Sequence, residues 1–328
     1  MQFPLKTSLK YLAVTLVGAH LSAGMANEPA DNWPTRPVKI VVPFSAGSAT
    51  DLISRQLANH LSARFKQSFI VDNKPGGSAS IGSVAVANAP ADGYTLLMSG
   101  PASMVTNKFT LKNLSYNPDT FEKVALVAYT PNVLLTNKDQ PFKTLDEMIK
   151  YAKAHPGQLT YASFGAGTTS HIAGEMLKQM AGVDILHIPY KGAGDAIPAL
   201  LAGHVSMYFD TIMTALPQVN AGKLVALGMS TDKRSDMAKD IPTIAEQKIT
   251  GYNIAPWYGI AAPSGTPKVI VNKLNVAIND ALKNAEFNKK LQDTGAEPMG
   301  GSVQDFEQFI AKETPRTEAI VKASGMTK

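Results

Sequence analysis

The chain has 328 residues, 45% hydrophobic and 17% charged, with no cysteine and a formal charge of +5. At roughly 100–200 residues per domain that length predicts about two domains, with apolar material for two cores. The missing cysteines exclude thiol catalysis, thiolate-held metal, disulfides and a lipid anchor at a leader cleavage site. The scattered basic residues lack the arginine-rich run that nucleic-acid binding favours, so no nucleic-acid partner is expected.

The first 26 residues read as a leader rather than as fold. Lys6 and Lys10 form a basic start, residues 11–21 are mostly apolar, and Gly24-Met25-Ala26 supplies small residues at a cleavage point before Asn27. The flanks and the short apolar core predict a cleaved secretory signal and an exported protein, rather than an uncleaved anchor. Lys6 and Lys10 are the leader's only charged residues, so its loss takes +5 to +3. That balance mildly favours an anionic ligand.

From residue 38 the pattern alternates strand and helix. Residues 38–42 are an apolar strand, and Leu52, Ile53, Leu57, Leu61 and Phe65 then recur at helical spacing. Strands are expected at 68–71 and 94–98 around a helix at 80–88. Extended runs follow at 124–128 and 133–136. Thr144-Leu145-Asp146-Glu147 is a capping box that opens a helix stopped by Pro156-Gly157. Further strand–helix units occupy 159–162 with 172–180, 185–189 with 193–202, then 205–210 and 224–230. The tail has a strand at 257–261 and helices at 269–283, 286–292 and 303–323, the last kinked at Pro315. Such alternation predicts largely parallel sheets with helices on their faces. A helix-rich tail is expected to pack back on the first block, with crossovers near 130–137 and 252–262.

Two strand-to-helix loops could carry chemistry. Pro43-Phe44-Ser45-Ala46-Gly47-Ser48-Ala49-Thr50-Asp51 and Ser163-Phe164-Gly165-Ala166-Gly167-Thr168-Thr169-Ser170-His171 are rich in small and hydroxyl residues. Small residues let a ligand approach the backbone, and the helix that follows points free N–H groups and about half a positive charge into the loop. That is an anion site, although small residues also suit a plain turn. Neither the phosphate-loop pattern nor the full dinucleotide fingerprint is present. His171 has no identifiable orienting carboxylate, so a hydrogen-bonded loop histidine is favoured over a base. The remaining histidines lack metal-ligand spacing, and no nucleophile elbow exists. A third loop, Pro189-Tyr190-Lys191-Gly192-Ala193-Gly194-Asp195, joins strand to helix, and Lys191 there either meets an anion or is a surface lysine. Asp210 ends an apolar strand. It is expected either to accept a hydrogen bond from ligand or water, or to cap the helix that follows.

At these loops the chain resembles the tripartite tricarboxylate transporter receptors, also called Bug-type receptors. The resemblance runs from Trp33-Pro34 through the first loop. It continues at Asn73-Lys74-Pro75-Gly76-Gly77, Ala91-Asp92-Gly93-Tyr94-Thr95, Gly167-Thr168 with His171, Pro189-Tyr190-Lys191-Gly192 and residues 203–210. It implies an α/β fold of the periplasmic binding protein type II topology, with two α/β domains, a hinge and a central ligand cleft. The domains would be 27–133 with 256–328, and 134–255. The resemblance also implies a monomer without cofactor or metal, which binds a small di-, tri- or aromatic carboxylate and delivers it to membrane permease subunits. Ligand contacts would come from Phe44, Ser45, Ala46, Ser48, Ala49, Thr50, Phe164, Gly165, Ala166, Gly167, Thr168, Ser170, His171, Tyr190 and Asp210. Ser45 stands where the family usually has proline, and Ser48 where it usually has glycine. Phe164 is bulkier than the small residues often found there and offers a floor for an apolar or aromatic ligand. A two-domain hydrolase or transferase, or a sensory protein, could use a similar fold. The lack of a nucleophile–base–orienter set disfavours the enzyme.

Overall fold

The first helix shows how the sequence builds the fold. Ser48 caps it by accepting from the Asp51 amide, and Lys66, in the left-handed conformation, ends it. Between them Ile53, Leu57 and Leu61 fall on one stripe and are completely buried, while Leu52 faces outward. The computed structural model describes residues 32–326. The expected leader, its cleavage point and residues 27–31 lie outside the described residues.

The elements follow in chain order: β1 (Val38–Val42), α1 (Ala49–Phe65), β2 (Phe69–Asn73), α2 (Ser80–Ala87), β3 (Thr95–Ser99), a π-helical turn (Ala102–Thr106) running into α3 (Asn107–Thr110), and β4 (Glu122–Tyr129). Next come β5 (Asn132–Asn137), α4 (Leu145–Ala154), β6 (Thr160–Ser163), α5 (Thr169–Ala181), β7 (Leu186–Pro189), α6 (Ala193–Leu201), β8 (Met207–Thr211), α7 (Ile212–Asn220) and β9 (Leu224–Met229). The chain closes with β10 (Trp257–Ala262), α8 (Lys268–Lys283), α9 (Ala285–Asp293), β11 (Glu297–Pro298) and α10 (Val303–Ala323). The capping box expected at Thr144 and Glu147 is present. A second, Ser302 with Asp305, starts α10, which continues through Pro315.

Two sheets result, ordered β11-β4-β10-β3-β1-β2 and β7-β6-β8-β5-β9. The chain passes from the first to the second at Thr130-Pro131 and returns between Met229 and Trp257. One expectation needs correction: the sheets are mixed, not largely parallel. β1 is parallel to β2 and β3, and β6 to β7 and β8. β10, however, runs antiparallel to β3 and β4, and β5 antiparallel to β8 and β9. Each reversed strand arrives straight from the other sheet, without the returning helix that would restore its direction. Both are buried along their whole length, as central strands covered on two faces must be.

Helices cover both faces of each sheet. In the first lobe, α1, α8 and α9 enclose one core, and Trp257, Phe306 and Ile310 help close the opposite face. In the second, α4 and α5 pack on one face and α6 and α7 on the other. α10 spans both lobes. Phe306 and Ile310 belong to the first, while Ile320 packs on the core beneath α4 and α5.

Candidate ligand-binding site

A cleft of about 560 Å³ lies between the lobes, at the carboxyl ends of β1, β3, β6 and β8. The first lobe contributes Phe44 to Thr50, Met98 to Ser103 and Pro256 to Tyr258. The second contributes Asn132, Phe164, Thr168 to Ser170, residues 191–195 with Ile197 and Pro198, Thr211 and Thr214. The starts of α1, α5, α6, α7 and the π-helical turn therefore meet around one space.

On the first wall, Asp51 organises the loop. Its Oδ2 accepts from the Gly47 amide at 2.9 Å and from Arg55 Nε at 3.0 Å, and its Oδ1 accepts from Asn73 Nδ2 at 2.9 Å. Burial pushes this carboxyl up, but the bonds from Arg55, Gly47 and Asn73 outweigh it and hold Asp51 below the usual carboxylate range. Ser48 Oγ accepts from the Asp51 amide. The Gly47 and Asp51 amides are thus engaged within the loop. Those of Ala49 and Thr50, both in the cleft wall, belong to the first turn and have no intrahelical acceptor.

On the opposite wall the first turn of α5 has no side-chain cap. Thr168 Oγ1 donates instead to the Gly165 carbonyl at 2.7 Å, and Ser170 Oγ accepts from the Phe164 amide at 2.9 Å. The first-turn amides of Thr169 and Ser170 are left open in the wall. Phe164 stands edge-on to Tyr208, with ring centroids 5.6 Å apart.

His171 lies behind this wall. Its Nδ1 accepts from the Gly167 amide at 2.9 Å, its ring stacks on His187 at 3.8 Å, and His187 Nε2 is 2.6 Å from Ser163 Oγ. Burial, then the nearby Lys178 charge, pushes His171 down to about 4. Burial, then His171, pushes His187 down to about 4 even though Glu175 opposes the shift. Both rings are neutral at pH 7, so His171 can serve Gly167 as an acceptor. Asp210 is completely buried; its Oδ1 accepts from the Thr211 amide at 2.8 Å, and its Oδ2 has no hydrogen-bond partner among the described residues. Burial pushes this carboxyl up to about 7.

Of the residues expected at the site, Phe44, Ser45, Ala46, Ser48, Ala49, Thr50, Phe164, Thr168 and Ser170 line the cleft. Gly165, Ala166, Gly167, His171, Tyr190 and Asp210 fall outside its lining. Ala166 and Gly167 instead meet the other lobe. The Ala166 carbonyl accepts from Ser78 Oγ at 2.7 Å, and a Cβ on Gly167 would lie 3.0 Å from Thr110 Oγ1. Tyr190 packs on the second-lobe core. Asp210 accepts from the residue after it rather than capping α7, which has no side-chain cap.

Sequence reasoning missed Ser99 to Ser103, Asn132, Thr211, Thr214, Trp257 and Tyr258. Gly100-Pro101-Ala102-Ser103 repeats the pattern of strand, small residues and helix, and could have been found by it. Nothing local marks Trp257 or Tyr258, which reach the cleft on β10, a first-lobe strand that the chain enters from the second lobe. Among the described residues the wall offers N–H and O–H donors, apolar faces and one side chain of each charge, Lys191 and Asp195. That arrangement can hold an anion without covalent chemistry.

A family model described as the tripartite tricarboxylate transporter family receptor matches residues 53–326. A Rhodopseudomonas palustris protein solved with adipate is 38% identical, with a TM-score of 0.87, over 90% of this chain and 99% of that one. The periplasmic binding protein BugD is 32% identical, TM-score 0.83, over 90% and 100% of the two chains. MatC from Rhodopseudomonas palustris, with bound malate, is 31% identical, TM-score 0.81, over 88% and 100%. The fold is that of these two-domain periplasmic binding proteins.

Proposed function

Because the chain belongs to the tripartite tricarboxylate transporter receptor family, and so is a solute-binding receptor, we propose that it captures a small organic carboxylate between its lobes and delivers it to the permease subunits of a tripartite transporter. The observation that carries this reading is the pair of helix entrances on facing walls. The first turns of α1 and α5 present amides without intrahelical acceptors to one cleft. Free amide donors at helix starts suit a carboxylate, and two relatives were solved with adipate and malate.

The lobes, 27–131 with 256–328 and 132–255, act as hinged jaws that bring both donor sets onto one ligand. The boundary falls before the expected 133 because Asn132 and Val133 belong to β5 of the second sheet. The receptor works in the periplasm as a monomer, after loss of residues 1–26, and releases its ligand chemically unchanged. Thermal-shift screening of carboxylic acids against their primary amides tests the proposal. At 100 times Kd an acid should add about 2.7 kcal/mol of apparent stability, and mass spectrometry should recover it intact. Equal shifts from acids and amides, or a transformed ligand, would overturn it.

A further inference from the structure

Resting on the two-lobe capture reading, we infer that Asn107, which lies outside the cleft, is a positioning residue for ligand retention. It holds the Ser78 loop of the first lobe against the Ala166-Gly167 turn of the second, and ties that interlobe contact to the cleft wall at Gly100 and Ser103.

The lobes touch beside the cleft at two points. Ser78 Oγ donates to the Ala166 carbonyl at 2.7 Å. Gly167 approaches α3 and the turn before it so closely that an added Cβ would stand 3.0 Å from Thr110 Oγ1 and 3.5 Å from Thr106 Cγ2. From here the chain runs into the first-turn amides of Thr169 and Ser170, which are open in the cleft wall. Holding the 165–167 turn therefore holds the donors of the second lobe over the ligand.

Asn107 is completely buried. Its Nδ2 donates to the Ser78 carbonyl at 2.9 Å and to the Tyr116 hydroxyl at 3.2 Å. Tyr116 in turn donates to the Ser103 carbonyl at 2.9 Å, and Ser103 Oγ accepts from the Gly100 amide at 2.9 Å. Gly100 and Ser103 line the cleft. The backbone makes the same link, because the π-helical turn Ala102–Thr106 carries the chain from Ser103 to Asn107. Such turns are rare and recur at functional sites.

The contact is costly to keep. Ser78 and Ala79 both adopt left-handed backbone, with φ of 52° and 72°. Among the described residues, Asn107 Oδ1 and Thr106 Oγ1 are buried with no hydrogen-bond partner. Both features oppose this arrangement. A permanent joint has no use for them. A joint that must part to let ligand leave does, because they keep its closed and open forms close in free energy.

Stopped-flow fluorescence of Trp257, which lines the cleft, tests the inference on the mature receptor. The probe is the strongest binder among malate, citrate and straight-chain diacids of four to eight carbons. Asn107→Ala should release it about three- to tenfold faster, the effect of losing one hydrogen bond. Its association rate should stay within about twofold of wild type, because the interlobe contact forms after encounter. Asn107→Ala combined with Ser78→Ala should release no faster than the faster single variant, since both undo one contact. Tyr116→Phe keeps the ring and removes only the hydroxyl between Asn107 and Ser103. It guards against loss of fold and should speed release about two- to fivefold. Unchanged release in Asn107→Ala, or rate increases that multiply in the double variant, overturns the inference and leaves the capture reading standing. If Asn107→Ala does not fold, unchanged release in Tyr116→Phe overturns it alone. Failure of every acid to bind the wild type overturns the carboxylate reading itself, and the inference with it.

Discussion

Acidification should weaken this protein through the two stacked histidines. An unfolded histidine titrates near 6.5, whereas burial holds both His171 and His187 down to about 4 in the folded chain. Between those values the unfolded state binds protons that the folded state refuses, so the stability present above 6.5 is lost as pH falls toward 4. At about 1.36 kcal/mol per pH unit, the loss from pH 7 to 4.5 comes to about 2–3 kcal/mol for His171 and, with solvent screening of the half-buried His187, about 1–2 kcal/mol for His187. Asp210 works in the opposite sense. Its carboxyl is raised to about 7, so its contribution grows as pH falls through 7 and would mask part of the effect in the wild type. The comparison with His187→Phe removes that masking, because Asp210 is common to both proteins. Urea unfolding in steps between pH 7 and 4.5 should show the stability gap between the two narrowing by about 1–2 kcal/mol. Protonation also turns the His171 Nδ1 acceptor into a donor and breaks its bond from the Gly167 amide, so the 165–168 loop should loosen over the same range. A gap that stays constant with pH would mean that His187 is not held neutral, and the reasoning would fail.

Gly167→Val should destabilise the protein more than Thr168→Ala in denaturant melts. It forces a valine to a φ of +75° and places a Cβ 3.0 Å from Thr110 Oγ1, costing about 1–2 kcal/mol in backbone strain alone. Thr168→Ala loses the hydrogen bond to the Gly165 carbonyl, about 0.5–1.5 kcal/mol. Ser78→Ala removes an interlobe bond to the Ala166 carbonyl, and stopped-flow release should be about two- to tenfold faster, with little change in the association rate. Gly174→Ala drives a Cβ to 2.1 Å from the buried Tyr161 ring and should cost about 1–3 kcal/mol by overpacking, read as a lowered thermal midpoint. N-terminal sequencing of exported protein should begin at Asn27.

Much of the fold was legible because its signals are local. Ile53, Leu57 and Leu61 mark one buried stripe, and Thr144 with Glu147 marks a helix start whatever surrounds them. Strand direction is not local. Nothing within Trp257–Ala262 says that it will slot between two strands running the other way. The site divides along the same line. The hydroxyl-rich entrances to α1 and α5 could be read because small residues before a helix have a direct physical meaning. Gly165 and Gly167 fall outside the cleft lining; glycine permits close approach to anything, and at Gly167 the near neighbour is Thr110 of the other lobe. His171 sits next to cleft residues in sequence, yet its ring turns inward to His187, a contact no spacing rule foretells.

The insertion of β10 between β3 and β4 also sets the order in which the molecule can be assembled. Every strand of the second sheet lies within one continuous stretch, from Asn132 to Met229. The first sheet stays split until Trp257–Ala262 has emerged to join its two parts. A chain made from its amino end therefore holds an unfinished sheet, with apolar strand edges unpaired, while the later lobe closes. Truncation just before Trp257 should leave a folded second lobe attached to a first lobe that cannot complete itself. The half that begins the protein is the last to be finished.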